Sequence, residues 1–555
     1  MKKKIKEFII IISIFIILAF IFTYPIIINM TTHSAGDGGD GLQFIWNIWH
    51  INKVITQGGS IQDIYFTNEL FYPYGTSLAF HTLSLTNTLF LGFPLTIFID
   101  NLNLIYNLLF LFNFVLAGFG MYTLIKYLIK DKGIAFVCGF AYAFSPFMMA
   151  KGLGYLNFMS IGWIPLFFLY LIKTLKENKY RNVIISTIFL FFLSLACWYY
   201  LFYTFIISFF YFFYILIKKE ITFNKKLLKR LILFIVLFFT FISPFLIPMI
   251  SEYIAGGGYQ ESIRISSIKP YHYIIPSFLH SFWGEKMSKF ITLNIIENLM
   301  FLGYFIILLS IIYFLKTRKQ IFWLFILILF FIFSLFPNNL LLVSLIKILP
   351  FYNVISNTSR FSFGVLFSII IIFGYSLEYF IPIWKNYFKQ KIRIKEKLLK
   401  EIILFLIFSI IVFEFISIPY PLFPGSQNII NGFNFVKEKD EIDFKILSLP
   451  INANPKELYF QTFHEKKIIG GYTSRTNPNS KENLKKLSNI INNQSLNEFN
   501  RFIKENEIRY IILYDRLISN KEEELKLNFL LEQKDIINIS KGDLYHTTIF
   551  EVIKD

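Results

Sequence analysis

Residues 231–250 read Leu-Ile-Leu-Phe-Ile-Val-Leu-Phe-Phe-Thr-Phe-Ile-Ser-Pro-Phe-Leu-Ile-Pro-Met-Ile, with no charged side chain anywhere in the stretch. As a helix rising about 1.5 Å per residue it covers roughly 30 Å, the thickness of a bilayer's hydrocarbon. Phe8 to Ile28 and Phe361 to Ile383 are runs of the same kind. Of the 555 residues 55% are apolar and 20% aromatic, and a soluble chain of this length has no interior large enough for them. Lipid is therefore the solvent for much of the protein, and helices are the expected form, because backbone groups in lipid must be satisfied within the segment. The first run follows Met-Lys-Lys-Lys, is long for a signal-peptide core and meets Tyr24-Pro25 without a small-residue cleavage site, so it reads as a retained helix.

The net charge of +18 would suggest nucleic acid in a soluble protein, but its distribution gives it another meaning. Of the 54 Lys and Arg, 27 fall in six short clusters, at 2–6, 126–132, 173–181, 218–230, 316–319 and 385–400. The other polar segments before residue 419 hold only eight. This positive-inside pattern puts the clusters in the cytoplasm and predicts about eleven spans: 8–29, 103–125, 133–150, 156–173, 182–198, 200–217, 231–250, 294–315, 320–336, 361–384 and 401–418. Counting Leu83 to Ile99 as well would invert that pattern, so it is expected to be an interfacial or re-entrant helix. The turn between 182–198 and 200–217 is expected at Cys197-Trp198-Tyr199-Tyr200.

The expected fold is thus mainly α: a polytopic membrane helix bundle over residues 1–418, with outer loops at 30–102 and 251–293, followed by a small soluble α/β domain outside the membrane over 419–555. The tail carries 19 basic and 19 acidic residues, a balanced soluble composition. Strands are expected at Phe444–Leu449, Arg509–Tyr514 and Thr547–Val552, and helices at Lys481–Ile491, Leu496–Asn506 and Lys521–Glu532. Cys138 and Cys197 both fall in predicted spans, which leaves no disulfide framework and no thiol metal motif.

The first outer loop opens with His33-Ser-Ala-Gly-Asp37-Gly-Gly-Asp40-Gly and continues into Leu42-Gln-Phe-Ile-Trp46-Asn-Ile-Trp49-His50, whose apolar residues recur at helical spacing. Two carboxylates on a Gly-rich turn at the mouth of an amphipathic helix suit a general base or a metal ligand. They equally suit an Asp-Gly turn with Asp40 as helix N-cap. His81 follows Leu78-Ala-Phe, and a lone His beside apolar residues is more often a hydrogen-bonded interfacial residue than a catalyst. In the second loop Gly256-Gly-Gly lacks the flanking strand and helix of a nucleotide-binding loop. Arg264, Lys269 and Arg360 stand out on a cation-poor outer face, where each suits a lipid phosphate; the other reading of Arg360 is a side chain snorkelling at the start of a span. Glu297, Glu378 and Glu414 lie near or within spans, where carboxylates are costly. No Walker motif, dinucleotide fingerprint or His-Glu-x-x-His is present, which disfavours a nucleotide-driven pump or a zinc protease.

The order of these parts resembles the polytopic glycosyltransferases of the GT-C superfamily, in particular their prokaryotic members that use polyprenyl-phosphate sugar donors. The resemblance rests on Gly39-Asp40-x5-Trp46-x2-Trp49, Phe71-Tyr-Pro-x4-Leu78-Ala-Phe, Ile105-Tyr-Asn-Leu-Leu with Leu116-Ala-Gly-x-Gly-Met-Tyr, Phe140-Ala-Tyr-Ala-Phe-Ser-Pro146 and Trp163-Ile-Pro-Leu. It extends more loosely through Glu297-Asn-x3-Leu-Gly-Tyr, Arg360 and Ile469-Gly-Gly-Tyr-x-Ser-Arg475.

The resemblance implies an inverting glycosyltransferase that moves a sugar from polyprenyl phosphate to an envelope glycan, lipid or protein on the outer face, with no nucleic-acid partner. It gives Asp40 the role of catalytic base or, as in some members, metal ligand, with Asp37 as helper, so a divalent metal is a candidate cofactor. His81, Tyr155, Arg264 and Arg360 are the residues expected to bind substrate. Tyr155 stands eight residues before Trp163, where relatives often carry a His. The rival reading is a non-enzymatic protein of envelope polysaccharide or lipid assembly, a flippase or scaffold, and turnover of a lipid-linked sugar discriminates the two.

Overall fold

The computed structural model describes residues 2–256, 268–289, 295–335, 357–389, 395–425, 444–451, 454–514, 518, 520–533, 535–542 and 547–553. The chain forms two compact units, each built from separate stretches: Met1–Ile28, Asn107–Ile242 and Ser262–Pro421 in one, Asn29–Tyr106, Ser243–Glu261 and Leu422–Asp555 in the other.

The first unit is helical. Among the described residues seven helices are long and apolar enough to cross a membrane, and three shorter apolar helices accompany them. The protein is a multi-pass membrane protein. Lys2–Phe22 stops just before Tyr24-Pro25, where proline disfavours helix for the residue ahead of it. Tyr180–Ala196 and Trp198–Ile217 are separated by Cys197 alone, in extended backbone, at the place the aromatic cluster marks. The expected span 133–150 is two helices, Lys132–Ala143 and Pro146–Lys151. Ser145 breaks it, its Oγ accepting the Met148 N–H at 3.4 Å with Pro146 at the first helical position.

The expected span 294–315 is corrected by the structure. Ile295–Asn298 is a single turn, and the helix proper is Tyr304–Thr317 behind Gly303, whose φ of +88° a side chain would resist. Two other glycines let helices touch backbone to backbone. A Cβ at Gly120 would lie 2.5 Å from the Gly162 carbonyl oxygen, and one at Gly162 2.5 Å from the Ala117 nitrogen.

The second unit contains a five-stranded sheet of β1 (Lys445–Leu449), β2 (Lys467–Ile468), β3 (Ile508–Tyr514), β4 (Ile536–Gly542) and β5 (Thr547–Val552), in the order β2-β1-β3-β5-β4. β1 pairs in parallel with β2 and β3, while β5 runs antiparallel to both of its neighbours. Helices Pro478–Asn492, Leu496–Glu505 and Lys521–Leu531 pack on it through Leu487, Ile491, Phe499, Phe502, Leu527 and Leu530 against Leu447, Leu449, Ile511 and Leu513. Phe499, Phe502 and Ile503 fall at i, i+3 and i+4, the spacing of one helix face.

Ahead of the sheet, His33–Ala35 forms a short antiparallel ladder with Leu422–Pro424, and Gly41–Thr56 is a helix. Within the stretch Leu83–Ile99, Thr86–Gly92 is π-helical and Phe93–Thr96 completes the helix.

Candidate functional site

The carboxylate loop is shaped by glycine. Gly38 has φ +79°, and a Cβ there would meet the Phe423 ring at 1.9 Å, so only glycine passes beside the His33–Ala35 ladder. Asp37 Oδ1 accepts the Gly39 N–H at 2.9 Å, which closes the turn. Asp40 occupies the N-cap position of Gly41–Thr56, yet its backbone is already helical and its side chain makes no cap hydrogen bond. The Tyr472 hydroxyl instead donates to Asp40 Oδ1 at 2.5 Å. The capping reading, open on the local sequence, does not describe this carboxylate.

Tyr472 arrives on the segment Ile469-Gly-Gly-Tyr-x-Ser-Arg475. Phe71 N–H donates to the Gly470 carbonyl at 2.9 Å and Tyr72 N–H to the Ile468 carbonyl at 3.1 Å, which lays the segment along Glu69–Tyr72 as a strand would lie. Gly471 has φ +152°, and a Cβ there would sit 3.1 Å from the Phe71 ring. Two residues past Tyr472, the Ser474 N–H donates to His81 Nδ1 at 3.3 Å, and the Arg475 guanidinium stacks over Phe80 at 4.6 Å. One strand-like segment thus reaches both Asp40 and His81.

Burial pushes the His81 imidazole down to about 3, with His50 adding to the effect. It is neutral at ordinary pH. Because Nδ1 accepts from Ser474, the proton sits on Nε2, a buried atom with no hydrogen-bond partner among the described residues. His81 therefore offers an N–H and not a charge.

A second polar cluster lies within the helical unit. Lys151 Nζ donates to Glu297 Oε2 at 2.5 Å, and Arg360 donates to Glu297 Oε1 through Nη2 at 3.0 Å and Nε at 3.2 Å. The three side chains are 1%, 7% and 16% exposed for Lys151, Glu297 and Arg360. The Arg360 guanidinium lies 4.7 Å from both the Phe158 and the Tyr199 ring, and Lys151 Nζ is 5.4 Å from the Tyr155 ring. Two cations share one carboxylate, so the cluster carries one net positive charge in an aromatic setting. Arg360 is not a snorkelling side chain; it is one of two cations paired with the buried Glu297.

Of the expected site residues, Asp37, Asp40 and His81 belong to the second unit, Tyr155 and Arg360 to the first, and Arg264 lies outside the described residues. Tyr472 and Ser474 stand in a motif that marked resemblance without a role. Lys151 carried the signal of a lysine at the end of an apolar span, and such a residue usually names a partner. Among the described residues no three His, Cys, Asp or Glu are grouped to hold a metal ion. Asp37 and Asp40 do not by themselves form a ligand set.

No protein-family model matches the sequence, and no curated protein matches it. Solved structures match its fold. The arabinofuranosyltransferase AftD from Mycobacteria superposes with a TM-score of 0.61 at 10% identity, over 99% of this chain and 42% of that one. The archaeal oligosaccharyltransferase AglB from Archaeoglobus fulgidus, solved with an inhibitory peptide and a dolichol-phosphate, gives 0.51 at 12% identity over 92% of this chain and 69% of that one. ArnT from Cupriavidus metallidurans, bound to undecaprenyl phosphate, gives 0.50 at 7% identity over 99% and 98%. The chain shares the fold of these solved structures. It spans less than half the length of the arabinofuranosyltransferase it resembles.

Proposed function

We propose that the protein is a membrane glycosyltransferase that transfers a sugar from a polyprenyl-phosphate donor to a hydroxyl-bearing glycan, lipid or protein acceptor on the outer face of the membrane. The observation that carries this reading is the Asp40 carboxylate, placed at a helix start without capping it and held by Tyr472, in a chain of GT-C fold.

Asp40 takes the proton of the acceptor hydroxyl as its oxygen attacks the anomeric carbon. The bond from that carbon to the phosphate oxygen breaks with its electron pair on the phosphate, so the configuration inverts and polyprenyl phosphate leaves. Tyr472 orients the Asp40 carboxylate, and the neutral His81 supplies an N–H for a sugar or acceptor oxygen. Within the helical unit, Arg360 and Lys151, two cations sharing one carboxylate, are suited to a phosphate's charge, and Arg360 has donors beyond the two given to Glu297.

The test is release of polyprenyl phosphate from labelled lipid-linked sugars by the purified full-length protein. Transfer with at least one donor is expected; none with any donor would favour the non-enzymatic assembly reading. Orientation is tested separately by cysteine labelling of intact cells. A cysteine placed at Ser480 should react with an impermeant reagent and one at Lys225 should not, and the reverse pattern would overturn the outward placement of the tail.

A further inference from the structure

Helix Pro455–His464 carries buried polar side chains at Glu457, Gln461 and His464, spaced by four and three along one face. Gln461 Oε1 accepts the Trp46 indole N–H at 2.7 Å, and Trp46 belongs to the helix that Asp40 opens. Tyr459 donates at 3.0 Å to Asn103 Oδ1, which also accepts from Ser34, three residues before Asp37. The same helix thus holds the carrier of Asp40 directly at Trp46 and, through Asn103, at Ser34. Glu457 meets the carrier of Tyr472: a Cβ at Gly470 would lie 3.3 Å from Glu457 Oε2. Glu457 is 4% exposed, and Oε2 has no hydrogen-bond partner among the described residues.

We infer that Glu457, with its carboxyl protonated, is a positioning residue that seats Gly470 and through it holds Tyr472 on Asp40. An ionised carboxylate with an unpartnered oxygen is costly in such surroundings, whereas the neutral acid packs against the glycine backbone. Among the described residues the groups that face it from neighbouring elements are Ser448 of β1, the Tyr514 phenol of β3 and the Gly470 backbone, none of them a cation. Burial pushes the carboxyl up to about 8 from an ordinary value near 4.5, with a hydrogen bond from Ser448 opposing. The folded protein accordingly keeps a proton that the unfolded chain loses above about 4.5, so stability from this group falls as pH rises toward about 8 and is level beyond it. Ionisation sets a charge against the Gly470 backbone and draws water under the segment, and Tyr472 is released with it.

The inference rests on the function proposed above for Asp40, and its test has a readout that needs no turnover. Arg475 lies three residues past Tyr472, so tryptic cleavage after Arg475 in the full-length protein in detergent reports release of the segment. Rates are normalised to a free peptide to remove trypsin's own pH response. A group titrating near 8 is about one-tenth ionised at pH 7 and nine-tenths at pH 9, so normalised cleavage of the wild type should rise roughly tenfold between them. Glu457→Gln, isosteric and uncharged, should abolish the rise. Gly470→Ala, which crowds Oε2, should raise cleavage several-fold already at pH 7, and serves if Glu457→Gln fails to accumulate.

A flat wild-type profile, or the same rise in Glu457→Gln, would overturn the inference. Where a donor is turned over, transfer by the wild type should fall about tenfold from pH 7 to pH 9 and the Glu457→Gln variant should lose that alkaline fall. Absence of transfer counts against the proposed function and leaves the proteolysis to judge Glu457.

Discussion

Asp40 sits half-buried at a helix start and accepts a hydrogen bond from the Tyr472 phenol, whereas Glu297 is buried between a lysine and an arginine. The contrast separates two uses of a carboxylate. An anion clamped by two cations is strongly held in its charged form and is a poor acceptor for a substrate proton. The Tyr472 phenol holds Asp40 by a hydrogen bond that brings no positive charge with it. Glu297 is thus suited to holding charge together across Pro146–Lys151 and Thr358–Phe361, and Asp40 to chemistry. Composition does not distinguish them, since both are single acidic residues beside apolar helices.

The comparison breaks first at Glu297. Glu297→Gln leaves Lys151 and Arg360 without the carboxylate they share, with no other counter-charge among the described residues, and losing one member of a buried ionic cluster costs roughly 3–5 kcal/mol. The expected outcome is a large drop in the apparent melting temperature in detergent and in extracted yield. Adding Lys151→Met to the same chain should return part of that loss, because it removes one of the two orphaned cations. Wild-type stability in Glu297→Gln would mean the cluster does not hold the unit together.

Asp40→Asn is the opposite case. The amide keeps the shape and loses the basic lone pair, so transfer should fall about 10²-fold or more, about 2.7 kcal/mol in barrier, while the melting temperature stays near that of the wild type. If the two variants lowered stability alike, the division between a structural and a chemical carboxylate would be lost. Turnover equal to the wild type would remove Asp40 as the base.

How much of this was legible in the sequence follows from the range over which each feature is encoded. The spans were legible because twenty apolar residues in a row state their solvent outright, and the strands at 445–449, 508–514 and 547–552 because short runs rich in Ile, Leu, Tyr and Thr are a local signal. Strand β2 is only two residues long, too short for any period, and helix Pro455–His464 has a mixed polar face that does not look like a buried element. Asp40 was visible as a carboxylate on a Gly-rich turn, but whether it capped the helix depended on Tyr472, 432 residues away in sequence. The pairing of Lys151 and Arg360 with Glu297 spans 146 and 63 positions. No local spacing encodes such partners; three ionisable residues near apolar spans announce that each needs one.

The smallest and most discriminating effect is expected at Tyr472. Tyr472→Phe keeps the ring against its neighbours and deletes only the hydroxyl that donates to Asp40 at 2.5 Å. A hydrogen bond to a charged acceptor contributes about 1.5 kcal/mol at the low end, and Asp40 is open enough for water to replace part of it, so transfer should fall roughly tenfold at most. The size alone decides little, since many substitutions near a site cost as much. The decisive measurement is the double variant. If Tyr472 acts by aiming the Asp40 carboxylate, its hydroxyl has nothing to aim once Asp40 is Asn. Tyr472→Phe should then cost little in that background, giving a coupling near the full single-variant effect. If Tyr472 contacts substrate by itself, the two losses should multiply. Additive losses would detach the Ile469–Arg475 segment from Asp40 and leave the carboxylate to work without it.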